Sequence, residues 1–405
     1  MSNIKVCTMK KKKMFLILGL AVLFAACSNE SDSVIESDNS SIETSLSLQS
    51  LKYDDLAEVL SKISSSEQKV TLEDGLNTCI VHLKRNQKVN VESGGQKINL
   101  FTGQSEDSVY AALSPDYATL RLQKNGESVN YVTYKDNEEM AKVANYYTTQ
   151  YLPTQSRSID EYVTCIRGAK DRSAESNITC VKLNITKAIK CNPLKVSSKD
   201  GYEMKQKMGA GLDSETTLYE DSPFPSKLFF MLVKEQDGGA LDHEITWQIE
   251  SATTSLDFLI NSGFIEPTFI ILESSFIDGN EYPNHTFDNF NRYLKKCDDV
   301  KGKGDRTYVC MRNGVWNDNG IVLGEVIGRG LIHHYKPVSD YSIYALSTSS
   351  SLYPHTLAHE IGHLFGAEHT SIKDDVMLSP HDYTATAHHK SAENWERMLN
   401  CLLEK

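Results

Sequence analysis

Apolar and polar positions alternate with a period of two through much of the first half of the chain. Between residues 68 and 135 the segments KVTLE, TCIVHLK, QKINLF, YATLRLQ and SVNYVTYK are rich in Val, Ile, Leu, Thr and Tyr, and DG, SGG and KNGE break them. Alternation sends successive side chains to opposite faces of a strand, and Gly and Asn suit tight reversals, so the pattern predicts antiparallel sheet built of hairpins. A helix is expected at NEEMAKVANYYTTQYL. None of these segments gathers catalytic residue types, which suits a structural or inhibitory module.

Residues 203–226, EMKQKMGAGLDSETTLYEDSPFPS, are dense in Gly, Ser, Pro and acidic residues, as linkers are. Beyond them the pattern becomes α/β. KLFFMLV and TFIILESSFI are apolar runs of strand length, and DHEITWQIESATTSLDFLINSG spaces Trp247, Ile249, Leu256 and Leu259 as a helix ended by Gly263. A helix near FDNFNRYLKKC and strands near TYVCMR and GIVLGEVIG follow. The expected fold class is α+β in two domains: a β-rich antiparallel domain over 51–207, a linker at 208–226, and an α/β domain over 227–405.

Length and composition agree with two cores, since 405 residues at 40% hydrophobic exceed the usual size of one domain. The net charge of -12 argues against nucleic acid as a partner. At the N-terminus, Lys10 to Lys13 precede the apolar run MFLILGLAVLFAA, with small residues before Cys27. That order resembles a bacterial lipoprotein signal (1–27) in which Cys27 becomes the lipidated first residue. An ordinary secretory signal with an incidental cysteine is the alternative. Either exports the protein, as a lipid-anchored outer-membrane precursor, a secreted product, or both in turn. Residues 28–50, rich in Ser, Asn, Asp and Glu, suit a flexible tether. The nine cysteines show no regular framework and no paired CxxC, so buried free thiols are expected.

The chemistry gathers in HTLAHEIGHLFGAEHT, residues 355–370. His359 and His363, at i and i+4, project from one helix face and can share one Zn²⁺. Pro354 suits a first helical turn, Gly366 permits a left-handed residue that ends the helix, and the reversed chain can bring His369 in as a third ligand. Three neutral nitrogens leave a position for water, as in catalytic rather than structural zinc sites, and Glu360 beside the first ligand is placed to act as general base. Met377, in DDVMLSP, lies downstream. His355 reads as a helix N-terminal residue or a surface contact rather than a fourth ligand. His333, His334, His388 and His389 read as surface, while His381 and Tyr383 are open as cleft or oxyanion residues.

HExxHxxGxxH with a later methionine is the pattern of the metzincin zinc endopeptidases. AHEIGHLFGAEHT is similar to the zinc segment of the fragilysin family, secreted metalloprotease toxins of gut anaerobes, and AACSNE, NGESVNYVTYK and VKLNI stand in comparable order upstream. The resemblance implies a latent, toxin-like virulence protease in which a β-rich prodomain inhibits a metzincin domain with a twisted mixed sheet. It further implies Met377 as a floor beneath the metal, SAENWERMLNCLLEK as the terminal helix, GIVLGEVIG as the substrate-pairing edge strand, and a prodomain aspartate that occupies the open zinc position. Asp200 in SSKDGYEMK matches that aspartate, with Asp213 as rival and a plain turn at KDG as the other reading. In that family activation follows a linker arginine. Here no arginine lies between Arg172 and the strand KLFFMLV, and Lys205 and Lys207 are the nearest basic residues. The expected function is a zinc endopeptidase acting on protein or peptide substrates as a monomer. A zinc hydrolase with a non-peptide substrate and a non-catalytic surface lipoprotein are the alternatives.

Overall fold

In the computed structural model the described residues are 44–104, 108–124, 127–149, 163–168, 177–185, 226–234, 239–273, 306–312, 316–317, 321–322, 324–326, 344–348, 355–378 and 387–403. All lie in one compact unit, Glu43–Lys405. Cys27, Asp200, Asp213, the linker as far as Pro225, the helix expected at FDNFNRYLKKC, Pro354, and His333, His334, His381 and Tyr383 lie outside the described residues.

The architecture is α+β in two domains, with a mostly antiparallel N-terminal sheet and a mixed C-terminal one. The five alternating segments form strands Gln68–Asp74, Asn77–Arg85, Gln96–Gln104, Tyr117–Lys124 and Glu127–Tyr134. Ser108–Leu113 joins them although its sequence does not alternate, because its four central residues are all buried and it has no polar face. Helix Tyr53–Lys62 was not expected; it buries Leu56, Val59 and Leu60, at spacings of three and four, with Asp54 and Asp55 at its positive end and Lys62 at its negative end. The expected tether is shorter than residues 28–50: Thr44–Ser47 pairs parallel with Gln68–Asp74, because Leu46 and Leu48 are buried in the N-terminal core. Among the described cysteines Cys180, Cys310 and Cys401 are buried as expected, whereas Cys165 is half-buried and Cys79 exposed.

In the second half, Ser226–Lys234 runs parallel to Ile265–Glu273 on one side and Arg306–Arg312 on the other, and Arg306–Arg312 runs parallel to Tyr344–Thr348. GIVLGEVIG splits. Ile321–Val322 pairs with Trp316–Asn317, while Gly324–Val326 runs antiparallel to Tyr344–Thr348 and ends the sheet. The predicted helix forms as Asp242–Ser255 and Asp257–Asn261, interrupted at Leu256, and Gly263 follows at φ 73°, a left-handed conformation that glycine adopts without strain.

The two sheets are one. Asn90–Ser93 of the N-terminal half pairs parallel with Ile265–Glu273 and antiparallel with Gln96–Gln104, giving a continuous sheet of 15 strands among the described residues. The same union is made by helix Asp242–Ser255, of whose fourteen residues twelve are buried. One face of the N-terminal strands builds its own core with Ala118, Leu120 and Tyr131; the opposite face, with Tyr117, Arg121 and Tyr134, meets this helix. Tyr117 exchanges a 2.7 Å hydrogen bond with Thr246. Burial drives the His243 pKa down to about 3, so the ring is neutral. Its two nitrogens lie 2.9 Å from the Tyr134 hydroxyl and 2.8 Å from the Tyr147 hydroxyl, and Tyr147 donates to Glu244 at 2.8 Å. One proton arrangement satisfies this chain: Tyr134 donates to Nδ1, and Nε2–H donates to the Tyr147 oxygen.

Arg121 and Glu250 face each other inside this interface at 3.5 Å, with side chains 2% and 1% exposed. Burial raises the Glu250 carboxyl to about 7, against the opposing pull of the Arg121 guanidinium. A carboxyl with a higher pKa folded than unfolded holds its proton more tightly in the folded state. Its contribution to stability is therefore full at acid pH and is lost as pH climbs from about 4.5 through about 7, by roughly 3 kcal/mol. Burial is what raises the pKa; Arg121, the charged neighbour, opposes the rise without cancelling it. Glu250→Gln cannot titrate, so the stability difference between variant and unaltered chain, from urea unfolding at pH 5 and pH 8, should move in the variant's favour by about that amount. A difference independent of pH would contradict the assignment.

Candidate metal centre

Helix Thr356–Leu364 carries the site. It forms because Leu357, Ala358, Ile361 and Leu364, all fully buried, share a face against the core. Its N-terminus has no side-chain cap of its own. Gln248 supplies one from the neighbouring helix, its side-chain carbonyl accepting the Leu357 N–H at 3.1 Å. His355 sits at the N-cap, buried, with Nδ1 3.1 Å from the Ser251 hydroxyl and its pKa pushed down by burial to about 3. At the other end the Gly366 N–H bonds the His363 carbonyl and the Ala367 N–H bonds the Gly362 carbonyl, both at 2.9 Å, with Gly366 at φ 89°. This is a Schellman closure, and it reverses the chain so that His369 returns to the helix.

The reversal brings three imidazoles to one point. Their Nε2 atoms lie 3.1 Å (His359–His363), 3.1 Å (His359–His369) and 3.2 Å (His363–His369) apart. Two of the rings are oriented by backbone carbonyls: His359 Nδ1 is 2.8 Å from the Val376 oxygen and His363 Nδ1 is 2.9 Å from the Ala367 oxygen. A carbonyl only accepts, so each Nδ1 carries the proton and each Nε2 presents a lone pair. Burial first, then the neighbouring His369, lowers the His359 pKa to about 4, which keeps that ring neutral. Lone pairs facing each other at 3.1 Å repel unless a cation lies between them. Three nitrogens on one tetrahedral zinc, at bonds of about 2.0–2.1 Å, stand about 3.3 Å apart, so the donor set fits that ion. Among the described residues His359, His363 and His369 are the group able to hold a metal. Glu360, 4% exposed, follows the first of them on the same helix.

Met377, fully buried, lies directly under the helix: a Cβ added to Gly362 would stand 2.6 Å from its sulfur and 3.2 Å from His389 Cε1. His389 therefore corrects the surface reading. It is buried, its ring 5.1 Å from that of Trp395, and Trp395 donates its indole N–H to the His389 carbonyl. His388 is exposed as expected. Nothing in the sequence marks Gln248, Asp375 or Asn394, yet all three hold the site. Asp375 accepts amide hydrogens from Met377, Lys390 and Ser391, and Asn394 bonds both backbone groups of Glu368. Their partners are distant in sequence or are backbone groups, which leave no residue signature.

Comparison with known proteins covers both halves. Residues 45–188 match the N-terminal domain of fragilysin, and residues 248–370 match the metallo-peptidase family M12B, reprolysin-like. The crystal structure of metalloproteinase-II from Bacteroides fragilis superposes with a TM-score of 0.74 at 38% identity, over 89% of this chain and 99% of that one. A chaperone–substrate complex overlaps with a TM-score of 0.24 at 11% identity, too little to carry an argument.

The contact under Gly362 can be measured. In Gly362→Ala the better helix propensity is worth about 1 kcal/mol, but the new methyl meets a buried sulfur, and overpacking of that kind costs about 1–3 kcal/mol. A net loss of stability is expected. Adding Met377→Ala should relieve it, so urea unfolding of the four proteins should show a favourable coupling of about 1 kcal/mol or more. Strict additivity would mean that the two side chains do not meet.

Proposed function

Because this chain belongs to the fragilysin family of metzincin zinc metalloendopeptidases, we propose that it is made as a latent precursor whose N-terminal half restrains a protease acting on extracellular or surface proteins. The observation that carries this reading is the convergence of three Nε2 atoms at 3.1–3.2 Å, two of them lone pairs fixed by backbone carbonyls, beside a helical carboxylate.

His359, His363 and His369 would hold the ion. Zinc bound there supplies a Lewis acid that polarises a carbonyl oxygen and makes water a better nucleophile near neutral pH. The remaining work falls to the chain. Glu360 takes a proton from the attacking water and returns it to the leaving amine nitrogen, so the peptide C–N bond breaks as the water oxygen joins the carbonyl carbon. Met377 and the buried face of the helix keep solvent from the site's underside. The strand Gly324–Val326, at the edge of the sheet among the described residues, is where an extended substrate would align.

Latency is assigned to the N-terminal half, with Asp200 as the carboxylate that displaces water from the open metal position. Its place in the sequence, after the last N-terminal strand Ile178–Ile185 and before Ser226–Lys234, supports this, as does the acceptability of oxygen as a zinc ligand. Export with lipid at Cys27 completes the proposal, and a mature chain beginning elsewhere without lipid would remove that part. One assay tests inhibition and catalysis together. On a small peptide substrate the uncut Asp200→Ala precursor should show activity that the unaltered precursor lacks, whereas Asp213→Ala should stay latent. Adding Glu360→Ala to Asp200→Ala should lower that activity by about 10²- to 10⁴-fold with zinc content unchanged. Latency of the Asp200 variant would clear Asp200 of the role, and activity surviving the loss of Glu360 would contradict the mechanism.

A further inference from the structure

Two side chains outside the motif stand in the same relation to two of the histidines. The peptide joining Ala367 to Glu368 presents its carbonyl to His363 Nδ1 at 2.9 Å, and its N–H to Asn394 Oδ1, also at 2.9 Å. The peptide joining Val376 to Met377 presents its carbonyl to His359 Nδ1 at 2.8 Å, and its N–H to Asp375 Oδ1 at 2.7 Å. A peptide group is rigid and planar, so whatever holds its N–H also aims its C=O. Accepting from the N–H also polarises the group, which makes the carbonyl a stronger acceptor for the imidazole proton.

Resting on the reading that the three histidines hold zinc, we infer that Asn394 and Asp375 are positioning residues of the metal centre, each holding by its N–H the peptide whose carbonyl orients a zinc-binding imidazole. Asn394 does more. Its Nδ2 donates to the Glu368 carbonyl at 2.8 Å, which fixes the next peptide, the one containing the nitrogen and Cα of His369. A single amide side chain, 3% exposed, thus braces the backbone behind two ligands. Both residues are tied to one segment: Asp375 Oδ2 accepts from Lys390 and Ser391 at 2.6 and 2.8 Å, and the Ser391 hydroxyl accepts from the Asn394 N–H at 3.2 Å as helix Ala392–Leu403 begins. Val376 N–H, bonded to the His388 carbonyl at 2.9 Å, closes the same loop. The C-terminal helix is thereby part of the metal centre, although it supplies no ligand.

Zinc affinity of the full-length chain tests this, measured by competition with a chromophoric chelator and by the visible spectrum of the cobalt(II) form. Asn394→Ala should weaken zinc by about 10-fold, the lower end of what losing a partner behind a metal-bound histidine costs, and should change the cobalt spectrum. Met398→Ala, fully buried on the same helix, is the control for a merely structural role: it should lower the unfolding temperature at least as far yet leave affinity within about twofold. Should Asn394→Ala fail to fold, Asp375→Asn serves, because it keeps the size of the side chain while removing its charge and one acceptor oxygen; it should weaken zinc in the same direction. Affinity within about twofold of the unaltered chain in the folded Asn394 or Asp375 variant, or equal weakening in Met398→Ala, would overturn the inference. A chain that binds no zinc, or whose zinc survives His363→Ala, would instead sink the reading of the metal site on which it rests.

Discussion

A buried polar group must find a partner, and helix Asp242–Ser255 carries more of them than it can satisfy alone. A helix covered all round is ordinarily apolar. This one takes His243, Glu244, Thr246, Gln248, Glu250 and Ser251 inside. Its partners come from both sides: Tyr117, Arg121, Tyr134 and Tyr147 from the N-terminal half, His355 and the Leu357 amide from the zinc helix. The helix is therefore where the state of the first half meets the position of the site. Arg121 reaches Ser251, Ser251 reaches His355, and the His355 carbonyl takes the first hydrogen bond of the zinc helix, from His359.

That polarity would suit a joint that opens, if the N-terminal half is released as proposed. Strand Ile265–Glu273 would be a sheet edge without Asn90–Ser93, and an apolar helix face laid bare beside it would invite association. Asp242, His243, Thr246 and Glu250 could instead turn to water if the N-terminal half were released. While it stays, sheet continuation, core packing and the Arg121–Glu250 contact act together, so cutting the linker alone leaves all of them in place.

At the metal centre, backbone rather than side chains decides orientation. The Schellman turn at Gly366 supplies the Ala367 carbonyl that fixes the His363 tautomer, and the turn before Met377 supplies the Val376 carbonyl that fixes His359. Neutral rings with Nε2 lone pairs turned inward are what a zinc ion requires, and they are in place because two peptides are held from behind.

Much of this was written in the sequence. HExxHxxGxxH dictates a helix, a left-handed glycine and a returning histidine by spacing alone, and period-two alternation marks the hairpins, because both depend on neighbours a few residues apart. Where periodicity fails the sequence is silent, as at Ser108–Leu113, whose two faces are both covered. Only the tertiary structure decided that His389 lies buried beneath the zinc helix, that Leu46 and Leu48 anchor residues expected in a tether, that Asn90–Ser93 crosses into the second sheet, and that Asp375 and Asn394 brace the ligands. The reason is the same each time. These partners are joined by long-range contact, often through backbone groups that every residue carries, and no local pattern of side chains records which peptide a distant carboxylate or amide will hold.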